Sequence, residues 1–302
     1  NADNPEDAAA VGEVVLEAQS PQVLPLLVPA EVIHDQDLVV PALDPVVDDA
    51  EAQIIVQHGL LGMLGKIDDL QAPVGEGRGS GRCPPDDLRE VGNYVAALEH
   101  GMARLDSLPL SLRLVRELHE KLMRGVRGDR ATPGEFRRSQ NWIGGTRPGN
   151  AVFVPPPPEK VFECMGELER FLHDRPEQTP VLQKAALAHV QFETIHPFLD
   201  GNGRIGRLMI ALYMVCNNLL TRPTLYLSAF FEKNKQLYYE NLTSVRIHNN
   251  LTQWLKFFLE GVKQTAESSI DTFRSIIELR QKVEYQDILS LGKKTALAQK
   301  FL

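Results

Sequence analysis

The run His196-Pro197-Phe198-Leu199-Asp200-Gly201-Asn202-Gly203-Arg204-Ile205-Gly206-Arg207 puts a base, a carboxylate, an amide, three glycines and two guanidiniums into twelve consecutive residues. Glycines let the backbone turn tightly and approach a ligand, so that successive N–H groups converge on an anion where a helix begins. Arg204 and Arg207, three apart on that helix, share a face and can grip phosphate oxygens as planar forks. Asp200 suits a hard divalent cation such as Mg²⁺, which favours carboxylate, phosphate and water together. His196 stands just before the turn, where an ordinary imidazole pKa of about 6.5 suits a general base near neutral pH. These residue types are fitted to hold a polyphosphate beside a base.

A different chemistry is suggested by His189, Glu193 and His196, which fall at i, i+4 and i+7 on one side of a helix and could ligate zinc. The pattern is not His-Glu-x-x-His, and no further Cys or His cluster offers a clear fourth ligand. The expectation is therefore structural: His189 and Glu193 make buried hydrogen bonds that support the loop.

The twelve-residue run resembles the signature of the Fic family, His-Pro-Phe-x-Asp-Gly-Asn-Gly-Arg-x-x-Arg, at every fixed position, with Gly206 as an additional glycine. The resemblance implies protein AMPylation, the transfer of AMP from ATP to a Ser, Thr or Tyr hydroxyl with release of pyrophosphate. It gives His196 the role of base toward the target hydroxyl and Asp200 that of Mg²⁺ ligand. Gly201, Asn202 and Gly203 form the anion cradle, the Asn202 side chain adding a donor. Arg204 takes the β-phosphate, and Arg207 orients the γ-phosphate or pairs with a regulatory carboxylate. Phe198, being apolar, anchors the loop in the core. The same resemblance leaves open a different donor, either another nucleotide or a CDP-linked alcohol that delivers phosphocholine, and a non-catalytic nucleotide-binding regulatory or toxin–antitoxin module. Intact His196 favours an enzyme, and Gly203 argues against the phosphorylating branch that carries Lys there.

A second region fits the same enzyme. Gly134 to Gly145, a Pro-Gly-Asn turn and Ala151-Val152-Phe153-Val154 read as a β-hairpin, closed off by Pro155 to Pro158, which cannot donate to a strand ladder. In Fic proteins the equivalent stretch is a flap that aligns the target peptide by strand addition, so a target protein is expected to dock near residues 141–154. Self-modification is also open, with Tyr226, Tyr238, Tyr239 and Tyr285 as candidates. The oligomeric state, a homodimer among the options, is not set by the sequence.

The elements that must position these groups are helices. Apolar residues at helical spacing follow Asp86 and Asp87 (Leu88, Val91, Tyr94, Val95, Leu98) and recur over 109–124, 158–173 and 180–195, each pattern offering one burial face. The helix opening at Gly203 is apolar around most of its circumference (Leu208, Met209, Ile210, Leu212, Tyr213, Val215), which puts it at the centre of a bundle. Further helices are expected over 228–246 and 249–285, with Trp254, Leu255, Phe257, Phe258 and Leu259 as core. The expected fold is mainly α, a Fic-fold helical bundle with a small β-hairpin flap over the active site.

The chain has 302 residues, 43% of them hydrophobic, enough for a substantial core. Cys83, Cys164 and Cys216 are too few and scattered for a disulfide framework. Neither a signal-peptide pattern nor a run of membrane-spanning length is evident, so the expected address is the cytoplasm, with no membrane and no nucleic-acid partner. Residues 1–82 hold 3 Lys/Arg against 15 Asp/Glu, a balance of −12, while the rest hold 29 against 25, a balance of +4. The expected organisation is an atypical acidic, Pro/Val-rich N-terminal segment and linker (1–82), a Fic catalytic domain (84–290) and a C-terminal helical tail (291–302). Pro21, Pro25, Pro29, Pro41 and Pro45 interrupt any long helix in the first segment, and Gly75 to Gly81 reads as a flexible linker. Fic relatives place a helical region there, so this segment is an unusual replacement or a departure in reading frame ending at Cys83-Pro84-Pro85. The inhibitory Ser/Thr-x-x-x-Glu-Gly/Asn motif of many Fic proteins is missing, because Ala72, Gln236 and Lys256 stand four residues before the three candidate glutamates.

Overall fold

A computed structural model describes residues 85–125, 132–174 and 179–294. The expectations for residues 1–82, for Cys83 and for the tail beyond residue 294 fall outside these described residues. Eight α-helices follow one another among them: α1 (Pro85–Leu105), α2 (Leu112–Leu122), α3 (Pro158–Leu172), α4 (Val181–Ile195), α5 (Asn202–Cys216), α6 (Leu227–Lys233), α7 (Lys235–His248) and α8 (Leu251–Lys282).

Local signals explain the boundaries. Pro85 and Pro158 open their helices, where the missing N–H of proline costs nothing. Ser111 caps α2 by accepting from the Leu114 N–H, and Lys121 stands at its carbonyl end, favourably placed against the helix dipole. The amphipathic reading of α2 holds, with Leu114, Val115, Leu118 and Leu122 all buried.

Three expectations are corrected. The segment read as one helix over 228–246 is two, because Asn234 leaves helical geometry (φ −111°, ψ 34°) and spends both its backbone N–H and its side-chain amide on Phe230 O. The helix read over 249–285 ends at Lys282, with a π turn (Val283–Ile288) and a 3₁₀ turn (Leu289–Lys294) continuing the chain. The flap forms no strands among the described residues; its pairing is a single antiparallel bridge between Ile143 and Phe153. Gly144 and Gly145 both adopt φ of +69°, which breaks the extended run after one pair. Asn150 then accepts the Thr146 and Arg147 N–H groups with its side chain, curling the connection into a compact loop.

The core is built around α4 and α5. The spacing of α4 suggests one buried face, yet every residue from Lys184 to Ile195 is buried. Ala185, Ala186 and Ala188 allow close approach, so α3, α5, α7 and α8 all pack on this helix. Trp254 of α8 is fully enclosed and donates its indole N–H to Ala186 O at 2.9 Å. α5 takes the central place that its composition suggests. The junction between these two buried helices carries the signature run.

Candidate active site

α4 stops at His196 because the next residue is proline, which lacks an N–H and disfavours helical geometry before it. His196 adopts a left-handed conformation (φ 49°, ψ 61°) while its N–H still donates to Phe192 O. A non-glycine residue holds that geometry only when its surroundings over-determine it. Arg137 supplies much of that constraint: its Nε donates to His196 O at 2.9 Å, its Nη2 to Ile195 O and Pro156 O, and its backbone N–H to Pro197 O. Asn141 adds a side-chain N–H to Phe198 O at 3.2 Å. The root of the flap is thus tied directly to His196 and the residues flanking it.

The loop after His196 is fastened from inside. Phe198 is fully buried, stacked on His119 with ring centroids 3.8 Å apart and packed against Phe136 and Phe192, as an anchor should be. His119 Nδ1 accepts the Gly134 N–H at 2.8 Å, so its proton sits on Nε2, which donates to Asp200 O at 3.0 Å. The Asn202 side chain does not join the cradle as a donor. It is 2% exposed, accepts the Phe198 N–H through Oδ1 and donates from Nδ2 to Phe198 O, each at 2.8 Å, closing the loop on itself.

What remains for an anion is the helix end. Gly201, at φ +79°, is the N-cap of α5, and no side chain caps this end. The first intrahelical bond of the turn runs from Ile205 N–H to Gly201 O, which leaves the N–H groups of Asn202, Gly203 and Arg204 without an intrahelical acceptor. A Cβ on Gly201 would lie 2.9 Å from Met123 Sδ and 3.4 Å from His119 Nε2. The Gly201→Ala variant is therefore expected to lose about 1–3 kcal/mol of stability from left-handed strain and crowding. Urea unfolding that gives an unchanged midpoint would contradict this geometry.

Charge surrounds the cradle on several sides. Arg204 lies 3.3 Å from Glu90 of α1 and 3.9 Å from Asp200, while Arg207 has no ion pair or hydrogen bond among the described residues. The Asp200 side chain is 51% exposed; its Oδ1 accepts the Gly201 N–H at 2.6 Å, leaving Oδ2 beside Arg204. An exposed carboxylate beside a cradle that would hold phosphate oxygens suits Mg²⁺, which is bound by one or two carboxylates together with phosphate and water and seldom needs an all-protein cage. No cluster of three or more metal-ligating side chains occurs among the described residues.

Burial dominates the titration of His189 in α4 and of His196 at its C-terminal end. His189 is enclosed by Phe231, Tyr238 and Trp254, shares a hydrogen bond with Tyr238 Oη at 3.0 Å, and is pushed down to about 3. This is the supporting role, not a zinc ligand's. Glu193 differs from its expected hydrogen-bonded role, since its Oε1 is buried without a hydrogen-bond partner. Burial raises its pKa, and the Arg207 and Arg246 charges oppose that rise. His196 is lowered to about 4, chiefly by burial and then by the Arg246 charge, so its ring is neutral and able to accept a proton at pH 7.

Both folded values lie below the ordinary 6.5, so below that pH the unfolded chain binds protons that the folded chain excludes. The contribution of these two histidines is complete above about pH 6.5, falls as the pH drops, and continues falling through about 4 and about 3. Urea unfolding at about pH 4.5 is expected to give roughly 2–5 kcal/mol less stability than at about pH 7, with a smaller difference in His189→Gln. An equal difference in that variant would remove His189 from the account.

Arg137, His119, Arg246 and Glu90 are the site-supporting residues that sequence reading does not single out. Arg137 stands beside Arg138 in an unremarkable pair, and the other three are ordinary members of helical patterns.

Comparison with known proteins gives the chain's similarities. Residues 109–214 match the Fic/DOC family. The Protein adenylyltransferase Fic of Drosophila erecta is 29% identical over 185 residues, covering 60% of this chain and 34% of that protein. Its counterpart in Drosophila grimshawi is 30% identical over 186 residues, covering 60% and 35%. The chain thus spans about a third of the length of the curated relatives it matches. Among solved structures, a Fic family protein from Desulfovibrio desulfuricans G20 has a TM-score of 0.56 at 24% identity, covering 74% of this chain and 66% of that one. A Fic domain containing signaling protein from Bacteroides thetaiotaomicron VPI-5482 has a TM-score of 0.55 at 18% identity, covering 75% and 94%. Signature run, helical architecture and family match coincide: residues 109–214 match the Fic/DOC family, and the helical fold is shared with solved Fic-family structures.

Proposed function

We propose that this chain transfers AMP from ATP to a hydroxyl side chain of a protein and releases pyrophosphate. The observation that carries the reading is the placement of the His196 ring at the head of a loop whose next helix offers three N–H groups without an intrahelical acceptor and two guanidiniums. His196 accepts the proton of the target hydroxyl. The oxygen attacks the α-phosphorus, and the bond from that phosphorus to the bridging oxygen of the β-phosphate breaks. The first-turn N–H groups of α5 and the Arg204 and Arg207 side chains oppose the charge that develops on the phosphates. Asp200 would hold Mg²⁺, which supplies charge neutralisation on the phosphates when bound.

A low pKa weakens a base, but a bound triphosphate places negative charge near the imidazole and raises it toward the working pH. A target segment docked along residues 141–154 would bring its hydroxyl to the side of His196 that the flap root faces. The name protein adenylyltransferase carried by the relatives supports this choice of donor and acceptor. Of the four tyrosines open to self-modification, Tyr239 and Tyr285 are exposed, Tyr226 is half-buried and Tyr238 is buried. No helix among the described residues is long and apolar enough to cross a membrane.

The test is incubation of the chain with a cell lysate and ATP labelled at either the α- or the γ-phosphate. Protein-bound label from the α-position alone is the expected result. Label from the γ-position alone would replace the reading with a kinase, and label from neither would leave another donor or a non-catalytic nucleotide-binding module.

A further inference from the structure

Arg246 lies far along the chain from the base, on α7, yet it reaches both sides of the base's surroundings. Its Nη2 donates to Glu193 O, in the last turn of α4, at 2.9 Å. Its guanidinium carbon sits 4.7 Å from the centroid of the Phe153 ring, and Phe153 is the flap residue bridged to Ile143. Its Nε is buried and has no hydrogen-bond partner, so the side chain is enclosed between these two contacts. One planar cation therefore binds the end of the base's helix with its edge and the flap with its face. A lysine could reach the carbonyl but could not present a plane to the ring at the same time.

We propose that Arg246 is a positioning residue that couples the flap to the base, holding Phe153 and the last turn of α4 together so that a target hydroxyl and the His196 ring meet. The proposal rests on the reading of this chain as an AMP transferase. Misplacement by about 1 Å at a reacting centre can cost about 10²-fold in rate, so a clamp of this kind matters without touching substrate. The guanidinium also acts on the base through charge. The groups that face His196 are Glu193 on α4, Asp200 on the loop after it, Arg137 at the root of the flap and Arg246 on α7. Burial first and the Arg246 charge second hold the imidazole down, with Arg137 adding to them and Asp200 opposing.

The experiment follows the His196 ring by NMR titration in the full chain without nucleotide, its resonance assigned by loss in His196→Gln. In parallel, ATP binding is measured by calorimetry and α-label transfer to protein by steady-state kinetics. In Arg246→Gln the His196 midpoint is expected to move up by about one pH unit, because a like charge has been removed from a partly buried site. The same variant is expected to lose about tenfold or more in kcat while its Kd for ATP stays within about twofold. Arg246→Lys should return the midpoint but not the rate, and Phe153→Leu, which removes the ring from the clamp, should lower kcat without moving the midpoint. An unmoved midpoint in Arg246→Gln, or full activity in Arg246→Lys, overturns the proposal. If Arg246→Gln does not fold, the other two variants carry the decision through the same readouts. A wild-type chain that transfers no AMP fails the transferase reading instead, and the His196 midpoint in Arg246→Gln and Phe153→Leu, read without nucleotide, still decides whether the Arg246 charge acts on the His196 ring.

Discussion

Replacing His196 with alanine is expected to lower α-label transfer by about 10²–10⁴-fold, the span of a positioned general base, while leaving the Kd for ATP within about twofold. The separation follows from which atoms do which work. The unpaired N–H groups belong to Asn202, Gly203 and Arg204, and the cations to Arg204 and Arg207, so the imidazole adds nothing to phosphate binding. Its loss should appear in kcat and not in nucleotide affinity. The left-handed backbone at His196 is held by carbonyl contacts from Arg137, which the alanine variant keeps, so thermal unfolding should change little. Single-turnover transfer and calorimetry on the same preparations check both halves. A variant that transfers AMP at the wild-type rate would remove His196 from the chemistry and leave the cradle as a binding site.

Arg137→Ala is expected to have the largest effect on stability, about 3–5 kcal/mol, or a drop of roughly 10 °C in Tm. The side chain is 2% exposed and donates to carbonyls of Ser139, Pro156, Ile195 and His196. Truncation leaves several of these acceptors buried without a donor, and each such group costs about 1–3 kcal/mol. It also severs the flap root from the end of α4, so transfer should fall even at temperatures where the variant remains folded. Arg137→Lys should recover only part of the loss, because an ammonium cannot span acceptors arranged around a planar fork. Thermal unfolding checks this, and a loss below about 1 kcal/mol would mean that other donors, such as Asn141, already suffice.

The two variants probe different layers. His196 tests the chemistry of one ring; Arg137 tests the scaffold that aims it. The positional logic is the same as that of Asn202, a residue expected to meet the ligand with its side chain that instead ties the loop to Phe198. In a short glycine-rich turn the backbone needs its own hydrogen bonds before it can offer any to an anion, and a buried amide is the group that supplies them.

The sequence by itself determined the twelve-residue run, the helical character of the surrounding chain and the central place of α5, because these depend on local spacing and on residues that act where they stand. It also determined Phe198 as an anchor, since an apolar ring among polar neighbours has few other uses. Tertiary structure decided the rest. Arg137 and Arg138 are adjacent and identical in type, yet the first is enclosed among carbonyls and the second is exposed. The flap shrank from a hairpin to one bridge because strand pairing depends on two backbones meeting in register, and two left-handed glycines prevent it. Arg246 and His119 reach the site only because α7 and α2 pack where they do. Groups that support a site through long-range contacts leave no spacing for a sequence to show, since the distance that matters is across the core and not along the chain.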